Sequence, residues 1–493
     1  MKPFLRLQEA LNKYQDRNAF CINSVFYTYK DLAKAISKIR KALQSNTKAS
    51  EKILGLVAND DLEMYASIFA LWFEGKAYVP ISPELPRDRN KNIIDQAFIK
   101  TIIDSSDKPL FPEYNVIASK QLPAAEMDLL PKQTPDEELV YILFTSGTTG
   151  LPKGVPINRS NIIGFVDAFE KLPFHLDEND RCLQMFEMTF DPSVVSYLLP
   201  LYYGACIYTI PRGKIKFNYI AELLEEQKLT FALMVPSIIH HLRPYFDEMN
   251  FPDLKYSMFC GEGLPHELTA EWSKCIPNAQ ISNLYGPTED TIYCTCYIFN
   301  REGKNKVHNG ILSIGKALDG TLTIAIDEND QILPAGKTGQ LCLGGVQLTP
   351  GYWNNEEKNK EAFFYADYNG KKTRFYKTGD VCHFDEDGDI LYAGRSDHQV
   401  KIQGFRIELS EIEYHVKVFL KKINAVATAI QDAGGNTVIG LVIESGEFDT
   451  NPLLEYMKSK VPVYMLPKQI KFSKEFPLNT NGKIDRNKLK QLF

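Results

Sequence analysis

YILFTSGTTGLPKG, residues 141–154, is the stretch on which the reading of this chain turns. An apolar run passes directly into a loop of Ser, Thr and Gly, and Lys153 follows. Glycines let backbone N–H groups crowd around an anion, hydroxyls add donors, and the lysine adds charge. That is how a loop holds polyphosphate. It is not the loop of the P-loop NTPases, because no Gly-Lys-Ser/Thr follows at the required spacing. Such a turn standing alone can be only a turn, so its surroundings decide.

Upstream, Thr28 and Asp31 open an amphipathic helix with Leu32, Ile36, Ile39 and Leu43 on one face. A strand at 53–58 (ILGLVA), a helix around 61–74 and a strand at 77–81 (AYVPI) come next. The alternation resumes downstream in FALMVP (231–236) and YSMFCG (256–261), which predicts α/β layers with parallel sheets. From about 312 the texture changes to short strands and turns, predicting a small β-rich subdomain. After about 396 a strand at 399–409 leads into a helix whose start reads as a capping box of Ser410 and Glu413. Strands at 424–431, 436–444 and 468–473, with a helix at 451–460, complete a unit able to fold by itself.

A chain of 493 residues exceeds one hydrophobic core, since domains hold roughly 100–200 residues. Its net charge of −6 and pI near 5.9 argue against a nucleic-acid or anionic-membrane partner. The nine cysteines are scattered. Cys294 and Cys296 form the one close pair, in a stretch that alternates like a strand, so reduced thiols are expected and a zinc site is not. The opening MKPFLRLQEALNKYQD lacks the apolar run of a signal peptide. Residues 193–211 carry no charge, yet Pro200 and Gly204 divide them into a short helix and a strand. A spanning helix needs about 20 mostly apolar residues. A cytoplasmic protein without membrane insertion is expected.

Further motifs follow the loop in a fixed order: NLYGPTED (283–290), YKTGD (376–380), GRSDHQVKIQGFRIELSEIE (394–413) and NGKIDR (481–486). With EGKAYVPI (74–81), FDPS (190–193) and GYW (351–353), they make the chain similar to the adenylate-forming superfamily over most of its length. That superfamily includes amino-acid adenylation domains, acyl-CoA synthetases and firefly luciferase. The resemblance implies an α/β fold. A large N-terminal domain (1–396) would hold two stacked α/β sheets and a β subdomain at about 312–393, and a small mobile α+β C-terminal domain would span 397–493.

It also implies site residues, with ATP and Mg²⁺ as nucleotide and metal. Thr145, Ser146, Gly147, Thr148, Thr149 and Lys153 would form the mobile loop over the β- and γ-phosphates. Asn283, Tyr285 and Gly286 would meet the adenine, with Tyr285 stacking on it. Thr288 would reach the α-phosphate and Glu289 would hold the metal. Asp380, assisted by Arg395, would bind the ribose hydroxyls. Lys483 would bridge the substrate carboxylate and the α-phosphate, and Asp397 would be the hinge about which the C-terminal domain turns after adenylation. These residue types suit the chemistry. Bringing a carboxylate to an α-phosphate is a matter of positioning and charge neutralisation, and no general base is needed for a group already ionised.

Asp191 in FDPS matches the aspartate that amino-acid adenylation domains offer to the substrate ammonium. An aspartate ahead of Pro192 can also be a helix cap. By alignment of motifs the remaining pocket positions are Pro192, Val195, Leu233, Met258, Cys260, Leu284 and Ile292, all apolar. MFCGEGLP (258–265) is similar to the same segment of D-alanine–carrier protein ligases, where the cysteine narrows the pocket. The expectation is a small amino acid, D-alanine first, transferred to the phosphopantetheine thiol of a separate carrier protein, since no carrier module follows Arg486. The alternative is an acyl-CoA synthetase for a small organic acid.

Overall fold

In the computed structural model Thr28 caps the helix Tyr29–Asn46. Its hydroxyl accepts the Asp31 N–H at 3.1 Å, and the Asp31 carboxylate accepts the Thr28 N–H at 3.0 Å. Two otherwise orphaned donors are thus satisfied, and Leu32, Ile36, Ile39 and Leu43 face the core. The structure describes residues 2–147, 150–397, 399–421, 423–478 and 484–493. Contacts group them into two units.

The first unit holds Met1–Ser82, Ala97–Leu143 and Gly154–Ser396. A nine-stranded sheet includes the strands Cys206–Thr209, Arg181–Gln184, Phe231–Met234, Tyr256–Phe259 and Gln280–Tyr285, adjacent in that order and parallel. A six-stranded sheet carries Ile53–Val57, Ala77–Ile81 and Leu139–Thr145 side by side. Both feed one core. The helix Leu62–Phe73 is buried nearly all round, as its apolar sequence requires. Its Tyr65, Phe69 and Trp72 rings meet Tyr197 of the helix Pro192–Tyr202 at 5.9, 5.8 and 6.3 Å.

The uncharged stretch 193–211 is core. Pro200 sits inside its helix, and the strand Cys206–Thr209 follows. No helix among the described residues is long and apolar enough to cross a membrane. The β-rich portion is a five-stranded antiparallel sheet running from Thr321–Ile326 to Ile390–Arg395.

The second unit holds Asp397–Phe493 together with Pro83–Gln96 and Phe144–Lys153. Its three-stranded sheet joins Ala425–Gln431, Thr437–Ile443 and Gln469–Phe472. Two expectations fail here. The strand at 399–409 is a hairpin, Gln399–Ile402 with Phe405–Glu408, because Gln403 and Gly404 take left-handed backbone (φ 51° and 81°) and turn the chain. The capping box of Ser410 and Glu413 is absent: the helix Leu409–Phe419 starts at Glu408 with no side-chain cap. Glu413 instead accepts from the Ala427 N–H at 2.9 Å and from both Arg486 amino groups at 2.7 and 2.9 Å. A charged tertiary partner outcompetes a local cap.

Candidate active site

The strand Gln280–Tyr285 runs out at Gly286. A Cβ there would lie 2.4 Å from the Ile292 carbonyl oxygen and 2.7 Å from Tyr293 Cα, so only glycine lets the chain fold back this closely. The returning limb places Ile292 and Tyr293 beside Asp191. Asp191 sits at the start of the helix Pro192–Tyr202 but makes no side-chain cap to it. The cap explanation for this aspartate is therefore rejected.

Asp191 is buried, and its Oδ2 has no hydrogen-bond partner among the described residues. Burial pushes its carboxyl up to about 7, and the nearby Glu289 charge adds to the rise. The Ile292 N–H and the Thr288 hydroxyl pull the other way. Val195, Leu233, Met258, Cys260, Leu284 and Ile292 are all buried in the main hydrophobic core. Parallel register sets Leu233 beside Met258. An unpaired carboxylate oxygen in such a place is costly unless a cation meets it. Sequence reasoning missed Tyr293 here. Its hydroxyl donates to Cys260 Sγ at 3.1 Å. An aromatic immediately after the aligned position 292 was the available signal.

The residues expected around the nucleotide also assemble. The Tyr285 hydroxyl donates to Asp380 Oδ2 at 2.6 Å, and Arg395 donates to Asp380 Oδ1 at 2.7 Å. Asp380 and Arg395 are cross-strand partners, which is why that pair meets. The Asn283 amide nitrogen donates to the Ser313 carbonyl at 2.9 Å, which fixes the amide's orientation. Both Asp380 oxygens are oriented by protein donors, and a carboxylate has about four lone-pair sites, so acceptor capacity remains for a vicinal diol.

Glu289 is fully buried and accepts the Tyr352 hydroxyl at 2.7 Å, which gives the GYW motif a role. Its neighbour Asp290 is buried with neither carboxylate oxygen hydrogen-bonded among the described residues, and burial raises its carboxyl far above the ordinary range. A single oriented carboxylate is the kind of protein ligand Mg²⁺ takes when phosphate oxygens complete its shell. No group of three or more His, Cys, Asp or Glu side chains among the described residues could cage an ion unaided. The residues fit a metal that arrives with a nucleotide.

The phosphate-loop segment lies in the second unit, and there its groups are engaged. The Ser146 hydroxyl donates to the Arg406 carbonyl at 2.9 Å and accepts the Glu408 N–H at 3.3 Å. The Gly147 N–H donates to Glu411 Oε2 at 3.3 Å, and Arg89 forms a salt bridge to the other oxygen of that carboxylate. Thr145 Oγ1 is buried without a partner among the described residues. Lys153 starts the strand Lys153–Asn158. Asp397, the first residue after the first unit ends, accepts the Gln399 N–H at 3.0 Å. Thr148, Thr149 and Lys483 lie outside the described residues.

Layered parallel sheets, a buried carboxylate with an unpaired oxygen and a Tyr–Asp–Arg cluster stand together with the motifs of an adenylate-forming enzyme. The AMP-binding enzyme family model matches residues 7–353, and the chain belongs to that family. Tyrocidine synthase 1 of Brevibacillus parabrevis is 31% identical over 98% of this chain, which spans 44% of that protein. Gramicidin S synthase 2 of Brevibacillus brevis is 28% identical over 98% of this chain, here only 11% of the relative's length. The chain thus spans less than half of the curated relatives it matches. Among solved structures, the Vibrio cholerae adenylation domain AlmE in complex with glycyl-adenosine-5'-phosphate superposes with a TM-score of 0.87. It is 24% identical and covers 100% of this chain and 97% of its own.

Proposed function

We propose that this chain activates a small amino acid with ATP and passes it to the phosphopantetheine thiol of a carrier protein. One substrate carboxylate oxygen bonds to the α-phosphorus as the bond to the pyrophosphate oxygen breaks, giving aminoacyl-adenylate and pyrophosphate. The thiol sulfur then bonds to the activated carbonyl, its proton is lost to solvent, and AMP leaves.

The observation that carries the reading is Asp191, whose buried oxygen lacks a partner among the described residues and whose proton leaves only near 7. A substrate ammonium answers both. It hydrogen-bonds the orphaned oxygen and stabilises the charge that burial disfavours. Fatty and aryl acids bring no such cation. Asp380 and Tyr285 would hold the ribose and the adenine. Glu289 would hold Mg²⁺, which when bound neutralises phosphate charge during displacement. The Tyr293 hydroxyl packed on Cys260 supports a small side chain, with D-alanine the first candidate and glycine beside it.

Amino-acid-dependent exchange of labelled pyrophosphate into ATP tests the reading across D- and L-amino acids and small organic acids. Exchange with an organic acid lacking an amino group, and with no amino acid, overturns it. A phosphopantetheinylated carrier supplied in trans then tests the second step, against free coenzyme A.

A further inference from the structure

Thr291 and Ile292 are consecutive non-glycine residues with left-handed backbone, φ 51° and 74°. For a β-branched residue this is a true outlier, and such strain persists only where the surroundings over-determine it. Much of the restraint comes from one side chain. Gln347 is fully buried, and its amide nitrogen faces three carbonyls of this single turn: Tyr293 at 2.8 Å, Asp290 at 3.2 Å and Thr291 at 3.3 Å. Two N–H bonds serve three acceptors, so one of them is shared. The amide oxygen is held in turn by the Thr321 hydroxyl at 3.4 Å. Asn161 donates to the carbonyls on either side of Gln347, Val346 at 2.9 Å and Leu348 at 3.1 Å.

We propose that Gln347 is a positioning residue for the amino-acid subsite, holding the Thr291–Ile292 turn left-handed and with it the limb whose Tyr293 hydroxyl meets Cys260. The proposal rests on Asp191 being the receptor for the substrate ammonium. Gln347 acts through backbone carbonyls. If they are released, the two β-branched residues relax towards ordinary backbone. The limb carrying Tyr293 moves with them, and its contact with Cys260 is lost. The Tyr285–Asp380–Arg395 cluster keeps its own hydrogen bonds and is untouched. Loss of Gln347 therefore separates amino-acid recognition from nucleotide recognition, which a general loss of stability would not do.

Gln347→Met keeps the volume and removes every donor. In pyrophosphate exchange its KM for the amino acid should rise about tenfold while its KM for ATP stays within about twofold. Its preference for the smallest accepted amino acid over one of leucine size should shrink. Thermal unfolding measured alongside reports whether the variant is folded. An unchanged amino-acid KM in a folded variant, or equal rises in both KM values, overturns the proposal. Should Gln347→Met be unstable, Thr291→Gly is added to it, because glycine takes left-handed backbone unaided. The double variant should then fold and recover most of the amino-acid KM, and a folded double variant with both KM values shifted equally overturns the clamp. Failure of the native chain to exchange with any amino acid sinks the functional reading instead, and the native arm alone shows it.

Discussion

The Tyr285 hydroxyl lies 2.6 Å from Asp380 Oδ2 although the two residues are 95 positions apart, so the side chains expected at adenine and at ribose are hydrogen-bonded to each other. Burial and the Asp380 charge raise the phenol well above its ordinary value, so it remains a donor at any working pH. Tyr285→Phe keeps the ring and frees Asp380 to swing. One buried hydrogen bond is worth about 1 kcal/mol, which corresponds to roughly a fivefold rise in KM for ATP. The amino-acid KM should barely change. Steady-state exchange kinetics with each substrate varied in turn check this.

If Asp191 receives the substrate ammonium, amino-acid binding should depend on pH. Its carboxyl titrates near 7 in the empty site, and the ammonium needs the ionised form. The amino-acid KM should therefore fall as pH rises towards 7 and level off above it, while the ATP KM shows no such step. Asp191→Asn should abolish exchange. The sign for stability is the reverse of that for a salt-bridged acid. A folded-state value above the unfolded one leaves the fold unpenalised below about 4 and progressively destabilised up to about 7. Asp191→Asn should accordingly unfold at a higher temperature than the native chain at pH 8, and at nearly the same temperature at pH 4.

Glu411 occupies the Gly147 N–H, a donor expected to face phosphate, and Arg89 braces it. If phosphate takes that N–H, ATP and this carboxylate compete for one group. Glu411→Gln keeps the shape and lowers the charge. The expected result is a lower KM for ATP by about threefold, a change of less than about 1 kcal/mol. Transfer of the aminoacyl group to a carrier thiol should slow in the same variant. Calorimetric titration with ATP and a single-turnover loading assay read the two effects separately.

Lys483→Ala should cut adenylate formation by at least about a hundredfold, the scale of removing one charge-stabilising group from a displacement on phosphorus. Loading of a carrier from preformed aminoacyl-adenylate should proceed at close to the native rate. Equal loss of both half-reactions would show that the lysine does not serve adenylation in particular.

The Tyr285–Asp380–Arg395 grouping was legible in part because its motifs are short and their chemistry is local. TGD and GR fall on adjacent strands, and the register that pairs Asp380 with Arg395 follows from the hairpin between them. The hairpin at 399–408 was missed although its signal is in the sequence. In QVKIQGFRIEL the apolar positions shift phase at the turn, from 400 and 402 to 405, 407 and 409, where Gln403 and Gly404 take left-handed backbone. Tyr293 was within reach of motif alignment, one residue beyond Ile292. Gln347 was not, because nothing in QLTPGYW marks a glutamine as the partner of carbonyls more than fifty residues away.

The sequence alone determined the layered α/β class, the helix cap at Thr28 and the identity of the acidic and basic groups. Each depends on residue type, periodicity or cap chemistry among near neighbours. Tertiary structure decided which of those groups are left wanting. Whether Asp191 is a helix cap or a receptor for a cation depends on its burial, on the Glu289 charge and on a strained turn held from another part of the chain. Desolvation and field are sums over everything packed around a group, and one segment of sequence contains only part of that sum.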